Sequence, residues 1–515
     1  MLQEGISRRD LMLGAGVLTA GCLTGEVIYA QGRTILRSRN KADIESLDPL
    51  TMGTTQEREV MTATLPRLAR VVTTGGAYDW EPSVYVESFE IVDDTTIAFK
   101  LKPGFNWSSD FGELTAEDVK YSFERAKGDS QWKDKWAAFD RVEVTGEYSG
   151  NIVLAYPFPA FTLTVLAHGM ACVVSRAAVE AAGGKYTVEM PATCGPYMVK
   201  EWIPKQRMSL VPDPQWPGEK PDFDEVQAIL VAEITAAELA YEAGELDVTQ
   251  ISPEGFLRYE EALPAGSAIA NAGHLNYAWL GMNTEHPKLS DIRVRKAIQH
   301  AIDVDTALQA GFSGSVIKAN GIIPPGLAGH REKSGYDYDP EKARAVLAEA
   351  GVSGLELDLK TMNLPERLVI AQVFQANLAA VGIKVNIIPL EVGTYWNQGR
   401  EKKGEEWKDL QIYLTRFGGG LDPSGYVNWF VKEQIGNWNW ERWTDPEFEE
   451  LYLAAAKESD TEKRAEMYLR MQQIMEDTGA YVWLWHDPES FIHRTAIVPS
   501  IVPGGEFEYA YFKKA

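Results

Sequence analysis

YAWLGMNTEHPKLSDIRVRKAIQHAID, residues 277–303, is the stretch from which the rest of the chain is read. Tyr277 to Met282 is short, almost wholly apolar and bounded by polar and turn residues. Such a run predicts a strand buried on both faces. A turn region with Pro287 follows. Ser290 then stands where a helix N-cap belongs, with Asp291 in the first turn. Val294, Ala297, Ile298, Ala301 and Ile302 recur at helical spacing and predict a buried face; Arg293, Lys296 and His300 line another. Taken alone, this is a strand, a loop and an amphipathic helix.

Downstream the punctuation is clear. Asp339-Pro340 predicts a helix start and Gly351 its end, with Ala343, Val346, Leu347 and Ala350 as the apolar stripe. Leu355 to Leu359 reads as a strand, Leu368 to Val381 as a helix and Ile383 to Ile388 as a strand. That β-α-β order implies an α/β unit. The stretch 410–443, LQIYLTRFGGGLDPSGYVNWFVKEQIGNWNWERW, opens with a strand over Leu410 to Leu414. Gly418-Gly419-Gly420 then lets the backbone bend or approach a ligand. Asp445-Pro446 caps a further helix, and Ala480 to Trp485 is a second short apolar strand. Upstream, Ile97, Phe99 and Leu101 alternate with polar or small residues, the period-two mark of a half-buried strand. Thr115 begins a helix with Asp118 at the capping-box position. Glu233 to Gly244 reads as a helix closed by glycine.

These segments resemble, in order, the motifs of family 5 solute-binding proteins, the dipeptide- and oligopeptide-binding receptors of bacterial ABC importers. The 277–303 stretch is similar to the family's "LxxN…pfxDxRVRxAixxAID". ESLDP at 45–49, TTIAFKLKPGFNWSSDFGELTAEDVKYSFERA at 95–126, PATCGPY at 191–197, GELDV at 244–248 and YDPEKARAVLAEAG at 338–351 match further family motifs. Two departures stand out: Ser109-Asp110-Phe111-Gly112 replaces the usual His-Asp-Gly, and Cys194 replaces a Thr. The resemblance implies an α/β, two-lobed periplasmic-binding-protein fold (type II, cluster C) with an extra subdomain in the first lobe. The expected division is 31–60, 190–278 and 484–515 for the first-lobe core, 61–189 for the extra subdomain and 279–483 for the second lobe. The strands at 277–282 and 480–485 are then paired as hinges. The implied function is capture of a polar solute between the lobes, peptide or peptide-like by family default, and delivery to the transmembrane subunits of an ABC permease. An oligosaccharide or an opine-like amino-acid conjugate is the alternative ligand. A monomer without cofactor or metal is expected.

The 515 residues, 45% apolar and 24% charged, fit a soluble globular protein of two or three packed units. A net charge of −24 argues against a nucleic-acid surface, which needs Lys and Arg against phosphate. Residues 1–30 read as an export signal: Ser7-Arg8-Arg9-Asp10-Leu11-Met12 resembles the twin-arginine motif, and an apolar stretch follows. Cleavage after Ala30 is preferred to lipid attachment at Cys22, and periplasmic localisation follows. In that oxidising compartment Cys172 and Cys194 are allowed a disulfide, which would add ~3 kcal/mol; two separate buried thiols are the alternative.

No G-x-S-x-G, H-E-x-x-H or P-loop motif is present, and the seven histidines are scattered. The chain is therefore read as a non-enzyme, against the alternative of a secreted carbohydrate-active enzyme with a hidden carboxylate pair. Candidate ligand residues cluster in the 410–443 stretch. In peptide-binding relatives an Asp of this loop pairs with the peptide's α-ammonium. Counted from Asp422-Pro423, that position is Gly419, and Arg416 stands where oligopeptide receptors carry an aromatic residue. Arg416 offers a fork to a carboxylate, or else forms a structural ion pair. Asp422 either takes over the missing role or serves the turn. Trp438 and Trp440, on one face if the segment is a strand, stack a ligand or belong to the core, as do Tyr395 and Trp396.

Overall fold

The computed structural model describes residues 34–515. The signal motif, Cys22 and the cleavage point after Ala30 lie outside the described residues.

The chain builds two main sheets. The second, of six strands, is organised around Asn276–Met282. That strand pairs antiparallel with Ile412–Gly418 on one side and Tyr481–His486 on the other, with Leu280 opposite both Leu414 and Val482. Neighbours on both edges and helices on the sheet faces explain why every residue of it but Asn276 is buried. Glu356–Met362 and Lys384–Leu390 run parallel, joined by the Pro365–Ala380 helix as the β-α-β order predicts. The expected strand at 410–414 runs instead over Ile412–Gly418. The helix expected after Pro287 is Ile292–Ala301, capped by Asp291 rather than Ser290. The Ser290 hydroxyl is turned back onto the Pro287 carbonyl (3.2 Å), while the Asp291 carboxylate accepts the Arg293 N–H at 2.8 Å.

The first sheet has seven strands in the order Ser267–Asn271, Ser490–Arg494, Val248–Gln250, Ile35–Asn40, Glu225–Leu230, Arg207–Pro212, Tyr197–Ile203. Ile35–Asn40 sits at its centre, parallel to both neighbours. A separate four-stranded antiparallel sheet, Val86–Asp93 to Ser149–Leu154, packs beside it with the Ala116–Asp129 helix. The capping box there is complete, and Asp118 also accepts the Trp107 indole N–H (3.3 Å). This long family-like segment is therefore structural.

A hairpin, Ala69–Thr74 with Ala77–Pro82, reaches across to the second lobe. The Tyr78 N–H donates to the Gly326 carbonyl (3.0 Å), and the Tyr78 hydroxyl accepts the His274 N–H (3.2 Å). Gly273 and Gly326, at φ of 89° and 92°, let Tyr78 approach where a Cβ would stand 2.3 and 2.8 Å from its ring or hydroxyl.

The allowed disulfide does not form. Cys172 and Cys194 are free thiols buried in the first-lobe core. The backbone fixes each separately: the Cys172 N–H closes a helical turn on Gly169, and the Cys194 N–H donates to Thr64. Burial pushes both thiols up, Cys172 to about 12, so they behave as small apolar side chains.

One carboxyl lies in the aromatic core of the second lobe. Glu441 is fully buried and accepts the Trp279 indole N–H at 2.6 Å, with the Tyr413 and Tyr481 hydroxyls beside it. Gly281 makes room, since a Cβ there would meet Glu441 Oε1 at 2.7 Å. Burial pushes the Glu441 carboxyl up to about 7. A carboxyl raised in the folded state supports folding fully below its unfolded value, near 4.5, and that support is lost as pH rises through 7. Glu441→Gln keeps the shape and removes the titration. The variant and the parent are expected to melt together near pH 4.5. At pH 8 the variant should be more stable by about 3 kcal/mol. Equal melting at both pH values would show that folding does not raise the Glu441 carboxyl.

Candidate functional site

Between the two main sheets lies a cavity of about 590 Å³. The first lobe contributes Gln250 and Ser252, at the turn where Val248–Gln250 gives way to the Pro253–Glu261 helix. The second lobe contributes the end of the Val304–Phe312 helix and the start of Pro365–Ala380. Asn276 at the start of one hinge strand, Arg416 on the neighbouring Ile412–Gly418 and Asp487 just past Tyr481–His486 also line it. Arg416 stands opposite Ala278 on the hinge strand and pairs with Asp487, just past the other hinge strand. Side-chain exposures of 39% and 20% keep this pair open to the cavity. The Trp485 indole N–H also donates to Asp487. Glu489 lines the same wall, and burial pushes its carboxyl above the usual carboxylate range.

Gly419 lines a second cavity, about 300 Å³, with Arg58, Trp132, His168 and Glu506. Its N–H donates to the Leu275 carbonyl (2.7 Å), and a Cβ would stand 2.1 Å from the Tyr426 ring. With the Tyr426 ring in this place the position admits glycine alone. Asp422 is buried, with its two oxygens 2.6 and 2.9 Å from the Arg464 guanidinium. It also accepts the Ser424 N–H at 3.0 Å. Its carboxylate is held in this buried ion pair.

Trp438 and Trp440 are not on a strand. The backbone N–H groups of Trp438 and Asn439 both donate to the Gln434 carbonyl, which makes a turn and voids the shared-face argument. Trp440 and Tyr395 are buried against each other, and the Tyr395 hydroxyl donates to the Leu414 carbonyl at 2.8 Å. Trp396 and Trp438 are half-buried in a cluster with Phe417, and Arg400 stacks on Trp438 at 4.7 Å. None of these four lines the 590 Å³ cavity; of the seven positions expected at the ligand, Arg416 does.

Two residues that sequence reasoning missed, Asp487 and Arg367, face the same cavity. Arg367 carried a signal: a cation in the first turn of a helix opposes the macrodipole and needs a reason.

Two α/β lobes, joined by antiparallel strands and enclosing a charged cavity, define a two-lobed binding protein. The chain belongs to the bacterial extracellular solute-binding proteins, family 5, whose middle region matches residues 81–438. It is 26% identical over 436 residues to the dipeptide-binding protein of Escherichia coli K12, covering 78% of this chain and 80% of that one. It is 27% identical over 460 residues to the probable D,D-dipeptide-binding periplasmic protein DdpA of the same organism, covering 86% and 87%. Among solved structures, HbpA2 from Haemophilus parasuis superposes with a TM-score of 0.82 at 21% identity, over 94% of this chain and all of that one. The protein is thus a periplasmic, non-catalytic receptor that delivers its solute to an ABC permease. Among the described residues no helix is long and apolar enough to cross a membrane, and no cluster of His, Cys, Asp or Glu is suited to hold a metal ion.

Proposed function

We propose that the 590 Å³ cavity receives a peptide-like zwitterion, which inserts into the Arg416–Asp487 pair. The carboxylate turns to Arg416 and the ammonium to Asp487. The observation that carries this reading is the ion pair itself, which links the strand beside one hinge strand to the end of the other and stays partly exposed in the cleft. A zwitterion exchanges one ion pair for two, and lobe closure removes water from both. This supplies an ammonium partner without an acid at Gly419. The names of the Escherichia coli relatives, both dipeptide binders, support the ligand class. The proposed division sets the second lobe at 279–483 with a hinge strand at each end.

The test is calorimetric titration of the mature protein with di- to pentapeptides. Arg416→Ala is expected to weaken binding about 10- to 100-fold, the worth of a hydrogen bond to a charged group. The empty variant should melt near the parent, because a partly exposed pair contributes little. Unchanged affinity sinks the role of Arg416. For the segment before residue 34 we propose a twin-arginine signal cut after Ala30; N-terminal sequencing of the exported protein, starting at Gln31, checks it.

A further inference from the structure

The least satisfied charge facing the cleft is Arg367. It stands in the first turn of the Pro365–Ala380 helix, 7% exposed, and faces the 590 Å³ cavity. Its guanidinium lies over the Trp485 ring at 4.3 Å, and Phe312 holds that ring from another side. Stacking fixes the plane of the group but leaves its N–H edges free. Neither Nε nor Nη1 has a hydrogen-bond partner among the described residues. The nearest carboxylate, Glu366, is 3.8 Å from Nε, beyond hydrogen-bond reach. Asp487 is also near but is already shared by Arg416 and the Trp485 N–H.

A buried cation whose only ion pair is this long one, with Nε and Nη1 lacking hydrogen bonds, is costly. Here it also faces the positive end of a 16-residue helix, and burial pushes it down to about 10. Trp485 packing alone would be met by an apolar side chain of the same length.

We infer that Arg367 is an anion subsite, and that the receptor takes a solute bearing a carboxylate in addition to the one that Arg416 receives. This rests on the proposed zwitterion site and narrows it to acidic solutes. The helix N-terminus adds its own positive end to the subsite. Glu366 and Glu489 line the same cavity, and burial raises the Glu489 carboxyl above its ordinary value.

The test compares the mature protein with Arg367→Met, which keeps the length and the stack on Trp485. The ligand-free variant is expected to melt no lower than the parent, because a buried charge lacking hydrogen bonds at Nε and Nη1 has been removed. Two probes are titrated into each. Succinate at constant ionic strength, followed by tryptophan fluorescence, is expected to saturate the parent and to bind the variant at least tenfold more weakly. Trialanine is then compared with Glu-Ala-Ala, Ala-Glu-Ala and Ala-Ala-Glu. At least one acidic peptide should bind the parent tenfold tighter than trialanine, and the variant should lose that advantage while keeping its trialanine affinity. Arg367-dependent succinate binding with no peptide binding keeps the anion subsite, assigns it to a non-peptide diacid and sinks the peptide reading. Trialanine binding without acidic preference, or a preference that survives in Arg367→Met, overturns the inference and leaves the receptor reading standing. Absence of Arg367-dependent binding with both probes overturns it as well.

Discussion

Asp422→Ala is expected to destabilise the second lobe by about 3–5 kcal/mol. Asp422 and Arg464 are 8% and 9% exposed at their side chains, and the two carboxylate oxygens face two guanidinium nitrogens. Deleting the carboxylate strands a guanidinium that also donates to the Ala455 carbonyl (2.8 Å) and the Tyr468 hydroxyl (3.1 Å), so it cannot swing out to water. Breaking a buried pair costs far more than the pair contributes relative to an apolar substitute, because the remaining charge keeps its desolvation penalty. For a unit of this size each kcal/mol moves the midpoint by about 2–4 °C, so a drop of roughly 10 °C is expected in scanning calorimetry. Affinity measured well below the new midpoint should be near that of the parent. Loss of ligand with unchanged melting would instead make Asp422 a binding residue.

The second large effect is Gly419→Asp, which puts an acid where the family resemblance leads one to expect it. It is expected to damage the fold rather than create an ammonium site. A Cβ at residue 419 would lie 2.1–2.5 Å from three atoms of the Tyr426 ring. That ring is fully buried, and its hydroxyl sits 3.0 and 3.1 Å from the Leu275 and Gly420 carbonyls. Neither the ring nor the 419 backbone, tied to Leu275, has room to retreat. Overpacking together with a half-buried carboxylate should cost about 3 kcal/mol or more. A double variant with Tyr426→Ala relieves the clash, so its melting temperature should exceed that of Gly419→Asp alone, a non-additivity expected of touching residues. A Gly419→Asp protein that melts with the parent would show that Tyr426 is not the reason for the glycine.

What can be read from the sequence follows the range of the interaction. Asn276–Met282 is evident because burial on both faces leaves an unbroken apolar run, and Thr115 and Asp339 are evident because a cap acts within three residues. Ser290 and Asp291 compete over one position, and which of them caps depends on a turn that sequence does not fix. The candidate site is mostly long-range. Arg416 finds Asp487, and Asp422 finds Arg464, across loops whose paths depend on the whole lobe. Nothing near Asp422 tells a ligand group from a buried pair. Trp438 and Trp440 misled because alternation suggests a strand, whereas Gln434 folds the segment into a turn. Only Arg367 left a local trace, as a positive charge at the wrong end of a helix.

The placement of Ile35–Asn40 has a bearing on synthesis. This strand is the centre of the first sheet, yet its partners Glu225–Leu230 and Val248–Gln250 are made far later, and Ser490–Arg494 is made almost last. Every strand of the second sheet lies between Asn276 and His486. A chain leaving the ribosome can therefore finish the second lobe while the first still lacks a strand. Throughout that interval Val248–Gln250 and Ser267–Asn271 lack the strand Ser490–Arg494 that runs between them, and their facing edges are open to wrong partners. The lobe begun first is the one completed last, and it is there that a nascent chain depends most on being shielded.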